Sequence, residues 1–299
     1  MNIVKENFSI KDLENLSGIK AHTIRIWEKR YNLLEPERTE TNIRFYSLKN
    51  LQKLLNITSL YNNGYKISKI AKISDADIQI LVREISSKNT NESHILNDLK
   101  MAMMNFDQAL FYAVYNNLLA ERSFREVFFD VFIPFLEELG MLWQTATITP
   151  AHEHFITHLI KQKIIINTEK LQQANPTNNS KVFVLFLPDN EIHEIGLLYL
   201  NYEIMLRGYK SIYLGQTLPI HGLQNIANHH ENIIFLSYFT ISPAKELVET
   251  YLEELNDCIN TDKKHDIWVL GHQIINLELS EKFDNVTLFH KINEAIERL

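Results

Sequence analysis

The sequence predicts a multidomain α and α/β protein: a winged helix-turn-helix head, a helical bundle, and a flavodoxin-like, five-stranded parallel, doubly wound tail. Three observations carry this fold class. The chain has 299 residues, more than one core holds at about 100–200 residues per domain. Its first 75 residues are basic and the rest is acidic. Its apolar residues recur with helical period as far as a polar stretch at 172–181 and then gather into short β-rich runs separated by helical patterns.

Composition sets the outer limits. With 45% hydrophobic and 22% charged residues, 8 Gly and 7 Pro, the chain is neither wholly disordered nor collagen-like. Its lone cysteine, Cys258, excludes an internal disulfide framework and a multi-cysteine metal cluster, so a reducing compartment, the cytoplasm, is expected. The first residues lack an apolar leader and no run of 18 uncharged apolar residues occurs, so neither secretion nor membrane spanning is expected. The net charge of −7 hides an asymmetry. Residues 1–75 hold 13 Lys+Arg against 8 Asp+Glu, while the remaining 224 hold 17 against 29. A basic head suits phosphate contact; an acidic body repels a polyanion and must face something else.

The head, residues 1–75, opens with Ser9 and Asp12 in a capping arrangement, followed by Ile10, Leu13 and Leu16 on one stripe of a short helix that ends near Gly18. Residues 20–31 repeat the pattern with Ala21, Ile24 and either Trp27 or Ile26 inward. Two short helices around a glycine turn predict a helix-turn-helix whose second helix enters the major groove. Pro36, a polar stretch and Ile43–Tyr46 then read as a loop and strand, a wing carrying Arg38 and Arg44. By residue type, Thr23 and Arg25 are candidates for base edges, and Lys29, Arg30, Arg38 and Arg44 for phosphates. Tyr46 is grouped with these DNA-facing residues, although for it and Trp27 core packing is the commoner role. Leu51, Leu54, Leu55 and Leu60 form a further helical stripe for the head's own core.

The run from His22 to Ser47, with Arg25, Trp27-Glu28, Leu33-Leu34, Pro36, Arg38, Arg44 and Tyr46 at these spacings, resembles the DNA-binding domain of the MerR family of transcriptional regulators. The resemblance implies a dimer on double-stranded promoter DNA, distortion of the DNA between its recognition elements, and RNA polymerase as a further partner.

Residues 76–172 contain one glycine, Gly140, and two prolines, Pro134 and Pro150, so long helices are expected. Phe106, Leu110, Val114 and Leu118 repeat at helical spacing, as do Phe128, Phe132, Phe135 and Leu139, and both stripes require a shared core. The part through about Asn97 is alternatively a linker helix to the head. Within MLWQTATITPAHEHFITHLI, His154 and His158 lie one turn apart, but the spacing gives no HExxH and no third ligand, which disfavours zinc.

The stretch at 172–181, QQANPTNNSK, reads as a linker. Beyond it, residues 181–299 hold five β-rich runs, Val182–Leu187, Ser211–Leu214, Ile233–Leu236, Ile267–Leu270 and Val286–Phe289, with helical patterns between them. Such βα units build a parallel sheet whose ligand lies at the carboxyl ends of the strands. The first of those loops carries Glu191, His193 and Gly196 as ExHxxG. An imidazole on a turn before a helix can ligate a metal, a carboxylate two residues earlier can fix its tautomer, and a glycine permits close backbone approach. By itself this pattern is equally a histidine at a helix start with no task.

Two patterns point further. ExHxxG resembles the DxHxxG signature of cobalamin-binding domains, and Trp143 with Glu153-His154 resembles the four-helix cap of the B12-dependent photoreceptor branch of MerR regulators, the CarH and LitR type. The resemblance implies adenosylcobalamin as cofactor, His193 as its lower cobalt ligand, Glu191 behind that histidine, and Gly196 at the close approach. It further implies Ser237 and Gly271 along the tunnel for the nucleotide tail, and Trp143, Glu153 and His154 over the upper face. Three residues depart from the pattern: Glu191 replaces aspartate, His272 puts a side chain into the tunnel in place of a second glycine, and Gln144 stands where light-sensing members carry a cobalt-capturing histidine.

Three functions therefore compete. The first is a non-enzymatic MerR-type regulator whose homodimer or homotetramer, and hence promoter occupancy, is set by adenosylcobalamin, with light cleaving its cobalt–carbon bond. The second keeps the DNA-binding role but makes the α/β domain a cofactor-free oligomerisation or small-molecule module. The third is a corrinoid methyltransferase or mutase component, disfavoured by the DNA-binding head and the lack of a catalytic domain.

Overall fold

The computed structural model describes residues 7–39, 41–86, 92–172, 175–260, 265–280 and 283–299. Gln173 and Ala174 of the expected linker lie outside the described residues. The chain forms two compact units, Met1–Ile160 and Lys161–Leu299. The sequence places its boundary at 172–181, whereas the units divide earlier, inside a helix. Lys161 on that helix pairs with Glu194 of the α/β unit at 3.1 Å, so the helix's second half belongs to the tail.

In the first unit, strand β1 (Asn7–Phe8) leads into helix α1 (Ile10–Ser17) through a capping box, Ser9 and Asp12 each bonding the other's backbone N–H. Gly18 ends α1 at φ 73°, a left-handed position that glycine takes without Cβ strain. Helix α2 (Ala21–Tyr31) has no side-chain cap at its own N-cap residue; the Glu14 carboxylate accepts the Ala21 N–H at 3.2 Å instead. That bond, with help from Lys11 and Lys20, holds the half-buried Glu14 carboxyl below its ordinary range. Strands β2 (Glu37–Arg38) and β3 (Arg44–Ser47) form the wing, and β1 completes a three-stranded sheet in the order β1-β3-β2. Helix α3 (Leu48–Asn62), capped by Ser47, buries Leu51, Leu54, Leu55 and Leu60 as the stripe predicts. Of the two inward candidates in α2, Trp27 is buried and Ile26 exposed.

Helices α4 (Ile67–Ile70) and α5 (Asp75–Ser86) follow, then the bundle: α6 (Glu92–Met104), α7 (Gln108–Glu121), α8 (Phe124–Val127), α9 (Ile133–Gln144) and α10 (Pro150–Gln172). A π turn at Phe128–Phe132 joins α8 to α9 without a break. Its cause is local: Pro134 has no N–H for the Asp130 carbonyl four residues back, and the wider turn relieves the ring's clash with it. Phe128, Phe132, Phe135 and Leu139 are buried as their stripe requires; of the other stripe Val114 and Leu118 are buried, Leu110 is half-buried, and Phe106 lies in the turn before α7, where Phe111 takes the buried place.

The second unit is a five-stranded, all-parallel sheet in the order β5-β4-β6-β7-β8, from β4 (Asn178–Phe186), β5 (Tyr209–Gly215), β6 (Ile233–Tyr238), β7 (Asp266–Leu270) and β8 (Val286–Phe289). Helices α11 (Ile195–Leu206), α12 (Gln224–His229), α13 (Val248–Ile259) and α14 (Ile292–Arg298) connect and close it. Val184, Phe186, Phe235 and Val269 alternate onto the face covered by α12 and α13, where they meet Leu252 and Leu255. The chain turns from β4 to β5 on one side and to β6 on the other, so the topological switch point lies between β4 and β6. Among the described residues no helix is long and apolar enough to cross a membrane.

Candidate functional site

The loops at the carboxyl ends of β4 and β6 meet at one buried carboxylate. Glu191 is 0% exposed, and both its oxygens are occupied. Oε1 accepts the backbone N–H groups of Ile192 (2.9 Å) and His193 (3.0 Å) and lies 2.6 Å from His193 Nδ1. Oε2 accepts the N–H groups of Thr240 (2.9 Å), Ile241 (2.7 Å) and Ser242 (3.0 Å) across the switch point. Burial pushes this carboxyl up, but the His193 ring and the amides outweigh it and hold it at about 2. The longer glutamate arm is thus accommodated, because the loop after β6 comes to meet it.

The consequence for His193 is orientation. Its Nδ1 faces a carboxylate ionised at neutral pH, so Nδ1 carries the proton and Nε2 supplies the lone pair for a metal. The imidazole is half exposed at the rim of the sheet, and neighbouring Ile192, Ile241 and Ile275 present apolar surface on the same edge. An oriented imidazole at the sheet rim, beside apolar surface, is suited to ligating a metal. The rim is tied further by Ser242 Oγ donating to Asp189 O (2.8 Å), Gln273 Nε2 to Thr240 O (3.1 Å) and Lys245 Nζ to Ile275 O (2.6 Å).

The residues expected along a tunnel are occupied by the protein itself. Ser237 is buried and its hydroxyl donates to Phe186 O at 2.8 Å. A Cβ at Gly196 would lie 2.7 Å from Tyr238 Cε2, and one at Gly271 would lie 2.2 Å from Phe239 O. Gly271, at φ 116°, is required by that backbone approach. His272, expected to point into the tunnel, is exposed at the start of a short 3₁₀ turn.

In the bundle, Trp143 ends α9 and Glu153 and His154 lie in the first turns of α10, on either side of the 145–149 connection. Trp143 is 56% exposed, and Glu153 Oε2 lies 3.6 Å from His154 Nε2. His152 behaves differently: it is buried and stacked on Phe106 at 4.8 Å. No group of three or more His, Cys, Asp or Glu could hold a metal ion among the described residues.

In the head, Arg25, Lys29, Arg30, Arg38 and Arg44 are exposed on α2 and the wing, and Thr23 is half-buried on α2. Arg38 Nη1 donates to Asn42 Oδ1 at 2.6 Å, which shapes the wing tip. Tyr46 corrects the expectation: it is fully buried, because its position in β3 faces the head's core, and its hydroxyl donates to Glu28 at 2.5 Å. Burial and the Glu28 carboxylate push its own pKa up. Tyr46 therefore joins the wing to α2 and presents no surface to DNA. The side chains not foreseen are Tyr238 and Tyr213, whose hydroxyl donates to Glu194 at 3.0 Å, and within the loop after β6 the backbone N–H groups of Thr240 to Ser242 take a role that residue type does not show. Each depends on strands brought together from distant sequence.

Comparison with known proteins finds family matches in the head and in the bundle. Residues 8–77 match the MerR HTH family regulatory protein family, and residues 95–166, within α6–α10, match the B12 binding domain family. The HTH-type transcriptional repressor CarH of Myxococcus xanthus is 26% identical over 227 residues, 74% of this chain and 75% of the relative. The HTH-type transcriptional repressor CarA of the same organism is 22% identical over 256 residues, 83% of this chain and 82% of the relative. Among solved structures, a monomethylamine corrinoid protein of Methanosarcina barkeri shares the fold over 70% of this chain and 98% of its own, with a TM-score of 0.56 at 14% identity.

Proposed function

Starting from a chain that is a MerR-type DNA-binding regulator with a B12-binding domain, we propose that its oligomeric state and promoter occupancy are controlled by adenosylcobalamin. The observation that carries the proposal is the Glu191–His193 pair at 2.6 Å on the switch-point rim, a ligand imidazole fixed before any ligand arrives. His193 would ligate the cobalt, Glu191 would hold its tautomer, and Trp143, Glu153 and His154 would line the upper-ligand pocket. When bound, the cofactor supplies a cobalt–carbon bond that light can break. In the head, Thr23 and Arg25 would read base edges while Lys29, Arg30, Arg38 and Arg44 fix the register on phosphates of double-stranded promoter DNA. The functional assembly would be a homodimer or a tetramer built from it, acting at a promoter where RNA polymerase is the competing or recruited partner.

The test uses the full chain. It is incubated with adenosylcobalamin in darkness and desalted, and its visible spectrum and size-exclusion profile are recorded before and after illumination. Retained corrin absorbance and a cofactor-dependent change in size are expected, with His193→Ala losing the spectrum of imidazole-ligated cobalt. Absence of retained corrin overturns the proposal. Retained corrin with no response to light removes photochemical control, in keeping with Gln144 beside Trp143, and leaves a cobalamin-responsive regulator. A cofactor-free role for the α/β unit is favoured by one observation, the internal filling around Gly196 and Gly271.

A further inference from the structure

Gly196, Ser237 and Gly271 come from three loops, and all three are answered by one segment, Ser237 to Phe239. Ser237 donates to Phe186 O, the Tyr238 ring covers Gly196, and the Phe239 backbone covers Gly271. Gly196 lies three residues after His193 in the first turn of α11, and Tyr238 lies two residues before Thr240, whose N–H donates to the same Glu191 carboxylate that holds His193, so the ring belongs to the segment that braces the imidazole's loop. Tyr238 ends β6, and its Cε2, Cζ and Cδ2 lie 2.7, 3.0 and 3.1 Å from the position a Cβ would take at Gly196. The glycine is thus needed to seat this ring. No hydrogen bond holds the Tyr238 hydroxyl among the described residues, whereas Glu194 holds Tyr213 and Glu203 holds Tyr199. Packing alone keeps the ring in place, and packing can yield.

A corrinoid whose cobalt accepts His193 must release its own lower base, and the freed nucleotide loop then hangs on the His193 side of the macrocycle. We propose that Tyr238 is a specificity gate for that loop: the α/β unit takes a corrinoid without a nucleotide loop on His193 in preference to cobalamin, because the loop enters only when the ring leaves Gly196. The inference rests on the cobalamin reading above. Swinging the ring out forfeits the burial of one aromatic side chain, which sets the gate's share of the preference at about ten- to a hundredfold.

The experiment measures dissociation constants of the full chain for aquocobinamide, which lacks the loop, and for aquocobalamin, by visible titration. Wild type, Tyr238→Phe, Tyr238→Ala and Tyr238→Val are compared, the last keeping a β-branched residue at the strand end should alanine fail to fold. The cost of releasing cobalamin's own base is common to all and cancels in the change of ratio. Wild type and Tyr238→Phe should prefer cobinamide by at least about ten- to a hundredfold, base release adding to the gate. The small side chains should tighten cobalamin and shrink that preference by about tenfold or more while cobinamide binding holds. Equal binding of both corrinoids by wild type overturns the gate and leaves the cobalamin reading standing, as does a ratio unchanged in both small variants. If no variant binds either corrinoid, the cobalamin reading falls and the gate with it.

Discussion

Replacing Glu191 by glutamine keeps its size and removes its charge, so it isolates what the carboxylate does. A carboxyl held at about 2 against an ordinary 4.5 corresponds to about 3 kcal/mol of preference for the ionised form in the folded unit. The sign follows from the depressed folded value. The stabilisation is fully present above the unfolded pKa of 4.5 and is lost as pH falls through the interval down to about 2. Integrated over the accessible part of that window, wild type should lose about 2 kcal/mol more than Glu191→Gln between pH 5 and pH 3. At neutral pH the variant should be less stable by about 3 kcal/mol, since an amide NH2 group would face N–H donors that now face oxygen. Trp268, 4% exposed on β7, reports the α/β unit once Trp27 and Trp143 are changed to phenylalanine. Denaturant unfolding of this single-tryptophan chain, with and without Glu191→Gln, is the assay. Parallel pH profiles for the two would refute the reasoning, because other carboxylates contribute equally to both.

Lys100, buried in the bundle, donates to Leu16 O at 3.1 Å and pairs with Glu138 at 2.5 Å. Lys100→Met should cost the first unit about 2 kcal/mol, less than a fully buried pair because Glu138 is partly exposed, and Lys100→Met with Glu138→Leu should restore most of it in a double-mutant cycle. Burial lowers the pKa of His94, which sits 2.5 Å from Ser59 Oγ, so the neutral ring is the folded form. The first unit should hold its stability above the unfolded value of 6.5 and lose it as pH falls below, and a flat thermal midpoint from pH 7.5 to about 5.5 would contradict this. In the head, Arg25→Ala should weaken specific binding by about 1–3 kcal/mol more than non-specific binding, whereas Lys29→Ala should weaken both and lower the salt slope by about one; equal losses from Arg25→Ala would mark it as a phosphate contact.

Local patterns were legible in the sequence because their partners are near in the chain. Ser9 and Asp12 close their capping box over three residues, and the leucine stripe of α3 needs only helical period. Glu191 and His193 were legible as a pair for the same reason, two residues apart on one turn. Tyr46 misled because an aromatic in a short strand faces the core or the solvent according to register, and the register of β3 is set by β1 and β2 on either side. Lys100 with Leu16, and Glu191 with Thr240 to Ser242, join positions dozens of residues apart, and no spacing rule reaches that far.

The sharpest case is glycine. ExHxxG and the glycine of Gly271-His272 both ask for something to come close to the backbone, and sequence alone gives that role to a cofactor. In the fold the close neighbours are Tyr238 and Phe239, consecutive residues of the strand end that also supplies Ser237. The two explanations differ in what they demand of the rest of the site. A glycine kept open for a ligand needs no particular neighbour, whereas a glycine that seats a tyrosine needs that ring and is relieved of its constraint when the ring is removed. Gly196→Ala should therefore be poorly tolerated in the wild-type chain and well tolerated beside Tyr238→Ala, in a melt with no corrinoid present. If Gly196→Ala costs the same in both backgrounds, the ring is not what the glycine serves, and the space belongs to a ligand.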